Sequence, residues 1–141
     1  MEDIIKEKIS ADHLLYVSLK YTKTCDVIIN LLSRWRNMIS KGVDRLVEKA
    51  KKEKKWKEIP DAPRAKLLQL KKIYSNVPEI TETLKLYELF REIDKLEKVR
   101  ENEFRKGVNL KVEYKGEIIN INLVQLKEYA NTLERFISYI K

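Results

Sequence analysis

The chain has 141 residues, with 30 Lys or Arg against 22 Asp or Glu and a formal charge of +8. That length suits one compact domain with a real core, and 43% apolar residues exclude a disordered polyelectrolyte. Three Gly and three Pro are too few for an all-β sandwich, one Cys excludes an internal disulfide, and one His excludes a multi-histidine metal centre.

The start, Met1-Glu2-Asp3-Ile4-Ile5-Lys6, lacks the basic and apolar regions of a secretory signal. The apolar runs, such as Val27-Ile28-Ile29-Asn30-Leu31-Leu32, fall short of the ~20 residues of a membrane span. A cytoplasmic protein without membrane contact is therefore expected, and the lone Cys suits a reducing compartment. Abundant Lys, Glu and Ile, with Gln only at 69 and 125, resemble the composition of heat-adapted proteins.

The first predicted element is long. After a cap at Ser10, the residues Leu14, Ser18, Tyr21, Cys25, Ile28, Leu32, Trp35, Ile39, Val43, Leu46 and Ala50 recur at three- or four-residue steps. A helix from Asp12 to Lys55 would be roughly 65 Å long at about 1.5 Å per residue. The pattern therefore predicts one long helix or a broken pair over 11–56, with Gly42 as the expected break. Pro60-Asp61-Ala62-Pro63 punctuates the chain, with Asp61 as an N-cap, and a short helix over 62–75 follows. Ile80, Leu84, Leu86, Leu89, Phe90, Ile93, Leu96 and Val99 predict a helix over 78–106, laced with the ion pairs Glu88–Arg91, Glu92–Lys95, Asp94–Lys98 and Glu101–Arg105 and stopped by Gly107.

The period then changes. Val108, Leu110, Val112 and Tyr114 alternate with polar residues, and Lys115-Gly116 marks a turn before Ile118 and Ile119. A two-residue loop pairs Val112 with Ile119 and Leu110 with Ile121 in a hairpin over 108–122. An isolated hairpin is marginal in water, so its apolar face must lie on helices or its edge must pair with another strand. Asn122 caps a final helix over 123–140, whose Leu123, Leu126, Ala130, Leu133, Ile137 and Ile140 form one stripe. The expected fold is a mainly α, elongated bundle of four or five helices in a single domain, with a two-stranded hairpin before the last helix.

Two surfaces invite partners. The stripe through Ile28, Leu32, Trp35, Ile39 and Val43 is longer than a small domain covers, which predicts a non-enzymatic interaction protein that forms a homodimer along it. Residues 33–72 carry 14 basic side chains against five acidic ones, a net 14 − 5 = +9. Arg34, Lys41, Arg45, Lys52 and Lys55 share one sector of the helical wheel, joined by Arg36 and by Trp56 as a base-stacking side chain. Together these seven form a candidate surface for RNA, DNA or another polyanion. The same charges also read as a solvated face, since Asp44 and Glu48 lie in that sector.

Enzymatic signals are sparse. His13 and Cys25 stand about 18 Å apart on one helix, too far to share a metal ion; no metal and no cofactor is expected. Tyr16 and Lys20 have the Tyr-x-x-x-Lys spacing of some dehydrogenases, but no Gly-rich dinucleotide loop accompanies them. The segments Arg100-Glu101-Asn102-Glu103-Phe104-Arg105-Lys106-Gly107-Val108 and Leu14-Leu15-Tyr16-Val17-Ser18-Leu19-Lys20-Tyr21-Thr22 resemble archaeal helical proteins of HEPN-like character. The resemblance implies a small helical bundle, often dimeric and RNA-associated, with an Arg followed about four to six residues later by a catalytic His. Arg100 matches the Arg, but no His follows it, and His13 lies upstream of every arginine. Were the protein a ribonuclease, Arg100, Glu103 and Arg105 would be its first candidates.

Overall fold

A computed structural model describes residues 1–141. Helix α1 spans Glu2–His13 and continues through a π-helical turn, Leu14–Ser18, into the short α2, Leu19–Tyr21. Helix α3 spans Cys25–Lys52, α4 Pro63–Ile73 and α5 Pro78–Glu92, the last running on into a 3₁₀ turn, Ile93–Lys95. Strands β1 (Lys98–Glu101), β2 (Asn109–Tyr114) and β3 (Glu117–Asn122) lead directly into α6, Leu123–Ile140. The fold is mainly α, as expected, but the sheet has three antiparallel strands in the order β1-β2-β3 rather than two.

The long N-terminal element is a broken pair, and its break is at Thr22-Lys23-Thr24 rather than at Gly42. Thr24 adopts extended backbone and its hydroxyl accepts a hydrogen bond from Val27 N at 3.4 Å, starting α3. The three-residue connection folds α1 back along α3, so that Glu7 meets Lys41 at the far end. The helix also begins at Glu2 rather than at a Ser10 cap. Helix α3 runs unbroken for 28 residues, about 42 Å. Gly42 serves close approach instead of a bend: a Cβ there would sit 2.7 Å from ring carbons of Phe136 on α6.

Folding back gives the apolar stripe its cover. Ile28, Leu32, Trp35, Ile39 and Val43 are each 5% exposed or less and belong to one continuous core of 33 residues, so they are not the surface at which a second copy would dock. Trp35, Phe90 of α5 and Tyr129 of α6 form an aromatic triad with ring centroids 5.5–6.4 Å apart. Burial pushes the Tyr129 phenol up to about 12. Lys8 ties α1 to α6 by ion pairs of 2.7 Å with Asp12 and with Glu134, and these bonds hold its ammonium above the usual lysine range.

The hairpin has the register read from the sequence, with Val112 opposite Ile119 and Leu110 opposite Ile121. Lys115 (φ +51°) and Gly116 (φ +78°) are both left-handed, as a type I′ turn requires. The helix expected to reach residue 106 ends at Glu92. The hairpin's free edge takes Lys98–Glu101 as a third strand, with Val99 facing outward. None of the four expected helical ion pairs forms: Asp94 meets Arg36, Glu101 meets Lys111, and Glu88, still within α5, meets Lys71 and Lys115 instead of Arg91. Asp61 likewise does not cap α4; Ala62 stands at the N-cap, and Asp61 pairs with Lys66 at 2.7 Å. Asn122 does cap α6, its side chain accepting from Gln125 N at 2.9 Å. Cys25 is buried and donates to Asn109 O at 3.4 Å, tying the start of α3 to β2. No helix is long and apolar enough to cross a membrane.

Candidate nucleic-acid interface

The seven residues expected to track phosphates do not form one surface. Arg34 and Lys41 both turn to Glu7 of α1, at 3.6 and 3.3 Å. Arg36 lies 3.4 Å from Asp94, and its guanidinium also donates to Ser33 Oγ. Arg45 donates through Nε to Ile140 O at 2.9 Å, satisfying a carbonyl at the C-terminus of α6. Four of the seven therefore join α3 to its neighbours. The wheel sector shared by Arg34, Lys41, Arg45, Lys52 and Lys55 is real, but three of its five side chains turn to α1 or α6 once those helices are in place.

Lys52 and Lys55 lie at the other end, in an exposed run. The run from Lys49 to Lys57 holds six lysines and one acid, Glu53; Lys51 pairs with Glu48 and Lys55 with Glu53, and Lys52, Lys54 and Lys57 have no carboxylate within ion-pair reach. Part of this charge complements the negative end of the α3 dipole. Trp56 is half-buried against the core, and its open side borders a shallow groove lined by Asp44, Glu48, Glu58 and Asp61. Four carboxylates against two lysines, Lys51 and Lys66, make that groove a poor place for a phosphate, and Trp56 does not stand free to stack on a base.

What the fold assembles instead is a cleft between α1 and α3. Ser10 and His13 from α1 face Asn30, Ser33, Arg34 and Asn37 from α3 across an open space of about 630 Å³, with Ile9 and Leu14 supplying its apolar part. Positions 30, 33, 34 and 37 follow helical spacing, so α3 presents a polar stripe beside its buried one. No carboxylate lines the cleft, although the chain has 22 acidic residues. Glu7, about one turn before Ser10, has a side chain 15% exposed and lies 3.6 Å from the Arg34 guanidinium. Its Oε2 is buried with no hydrogen-bond partner. The π-helical turn starts at Leu14, directly after His13, and such turns are over-represented at functional sites.

This arrangement offers one fixed cation, one imidazole and four neutral hydrogen-bonding side chains to an anionic ligand. Of the sequence-predicted residues only Arg34 belongs to it. His13 carries no such signal in the sequence, because its place in the cleft depends on the packing of α1 against α3. Tyr16 and Lys20 are exposed on the turns that continue α1. Arg100 is engaged by Asp26 at 2.8 Å and by Glu103 at 3.5 Å. No protein-family model matches the chain, and no curated protein or solved structure is significantly similar to it.

Proposed function

We propose that the protein binds nucleic acid, with the sugar–phosphate backbone entering the cleft between α1 and α3. The observation that carries this reading is the make-up of that cleft: a space of about 630 Å³ lined by six polar or charged side chains and two apolar ones, none of them a carboxylate, with Arg34 paired to Glu7 and His13 on the opposite wall. Phosphate contacts by Arg and by neutral amide and hydroxyl donors fix a strand in place without reading its sequence. The exposed lysines from Lys49 to Lys57 and the net charge of +8 supply long-range attraction.

This reading stands apart from the scaffold role that the α3 stripe first implied, because that stripe is consumed by the protein's own core. Gel retardation of mixed single-stranded RNA and DNA at low salt tests it. The parent protein retards the strand, Arg34→Ala weakens retardation several-fold, and Lys52→Ala weakens it less. No retardation by the parent protein refutes the reading.

A further inference from the structure

The N-terminal helix has a second face that the core does not use. Ile4, Ala11, Leu15 and Leu19 point inward and are buried, whereas Ile9, Tyr16, Val17 and Tyr21 are exposed. Ile9, His13, Tyr16 and Lys20 succeed one another at three- or four-residue steps, so the exposed stripe borders the cleft at His13 and leaves it toward Tyr21. From His13 to Tyr21 is about 12 Å along the helix.

At the end of this stripe a distant segment arrives. The loop between β1 and β2 places Phe104 N–H on Lys23 O, a hydrogen bond of 2.6 Å. Phe104 is 76% exposed and Tyr21 is 79% exposed, the two most exposed large apolar side chains of the molecule. That hydrogen bond anchors the backbone of Phe104 to Lys23, two residues beyond Tyr21, across 81 positions (104 − 23) of sequence. The loop holds this arrangement in strained backbone: Asn102 has φ +53° and Phe104 φ +67°. An aromatic side chain in the left-handed region is disfavoured, and one left in water recovers nothing by burial. Such strain persists where the surrounding structure holds a residue for use.

The charge around the pair is one-sided. Lys20, Lys23, Arg105 and Lys106 have no carboxylate within ion-pair reach, because the two nearby acids, Asp26 and Glu103, are both engaged by Arg100. Lys20 Nζ lies 5.9 Å from the centroid of the Tyr21 ring. Exposed aromatic rings among unpaired cations are the composition of a surface on which unstacked bases rest while their phosphates are neutralised. A duplex offers no free base faces to such rings.

Building on the preceding reading, we infer that Tyr21 and Phe104 form a base-stacking platform, and that the strand entering at His13 and Arg34 runs along Tyr16 to reach it. The nucleic acid that fits is single-stranded.

Fluorescence anisotropy with a labelled, unstructured RNA dodecamer tests this, with the blunt duplex of the same sequence and vesicles of phosphatidylglycerol and phosphatidylcholine as parallel probes. The parent protein binds the single strand at least tenfold more tightly than the duplex. Tyr21→Ala and Phe104→Gly each weaken it by about tenfold, and Phe104→Trp restores it. Phe104→Gly relieves the left-handed strain, so it raises the melting temperature while binding falls; a merely structural Phe104 would not separate the two. Equal affinity for strand and duplex, or unchanged binding in Phe104→Gly and Tyr21→Ala, overturns the platform. If Arg34→Ala alone then weakens binding, the cleft stands without it; if no RNA binds at all, both fall. Capture by the vesicles with no capture of the RNA assigns the aromatic pair to a membrane surface and also overturns the inference.

Discussion

Gly42→Ala sets two well-characterised effects against each other. In the middle of a helix, Ala is favoured over Gly by about 1 kcal/mol. Gly42 lies inside the 28-residue α3, so propensity alone predicts a more stable protein. The structure predicts the opposite. An added Cβ would meet Phe136 Cε2 and Cζ at 2.7 Å and Ile140 Cδ1 at 3.3 Å, against an optimum of about 3.5–4.0 Å for carbon pairs. The Phe136 ring is fully buried, so it can move aside only by displacing other core side chains. Overpacking of this kind costs about 1–3 kcal/mol. The net effect is a loss of about 1 kcal/mol, or about 4 °C in melting temperature for a domain of this size. Urea denaturation read by circular dichroism measures it. Phe136→Leu should remove most of the clash, so the double variant is more stable than the two single changes sum to, by at least about 0.5 kcal/mol. A Gly42→Ala protein more stable than the parent by about 1 kcal/mol would refute the close α3–α6 contact.

Three further outcomes are expected. Tyr129, buried in the aromatic triad, has a phenol pushed up to about 12. Its folded-state value is above the unfolded one, so its contribution is fully present below about pH 10 and is lost as pH rises toward 12, with about 2–3 kcal/mol at stake. Stability against urea measured from pH 9 to 12 should fall less steeply in Tyr129→Phe than in the parent. Lys54 (φ +59°) occupies the left-handed position after α3, where Lys55 N donates to Ala50 O at 2.9 Å and Lys54 N to Lys51 O at 3.1 Å. This is the helix-ending pattern that favours glycine. Lys54→Gly should therefore stabilise by about 1 kcal/mol, and the same unfolding assay reads it. Asn122→Ala removes the 2.9 Å cap on Gln125 N and should cost about 1 kcal/mol by that assay.

The parts of the fold that were legible in the sequence are those with redundant local signals. The hairpin had alternation, a turn and a register that agreed with one another, and Lys in place of Asn at the turn did not override them. Helix α6 had a cap and an unbroken stripe. The return of the chain at Thr22-Lys23-Thr24 had neither Gly nor Pro, and the stripe's spacing carries through it from Tyr21 to Cys25, so only the N-cap type at Thr24 hinted at a break. Strand β1 was hidden because Leu96 and Val99 continue the helical spacing of α5; the third strand follows from the hairpin's need for a partner, which is a tertiary effect. The same blindness affected the site. Arg34 was visible as part of a basic sector, but which basic residues remain free depends on Glu7, Asp94 and the end of α6, all distant in sequence. The polar stripe of Asn30, Ser33 and Asn37 becomes a cleft wall only when α1 lies against it.

Chemical-shift mapping during titration with a single-stranded RNA dodecamer distinguishes the cleft from the exposed lysines, because it reports position as well as binding. The His13 imidazole, the Arg34 guanidinium and the Asn30 and Asn37 amides should shift first and together, with Tyr16 following. Shifts confined to the lysines between Lys49 and Lys57, with the cleft silent, would contradict binding in the cleft.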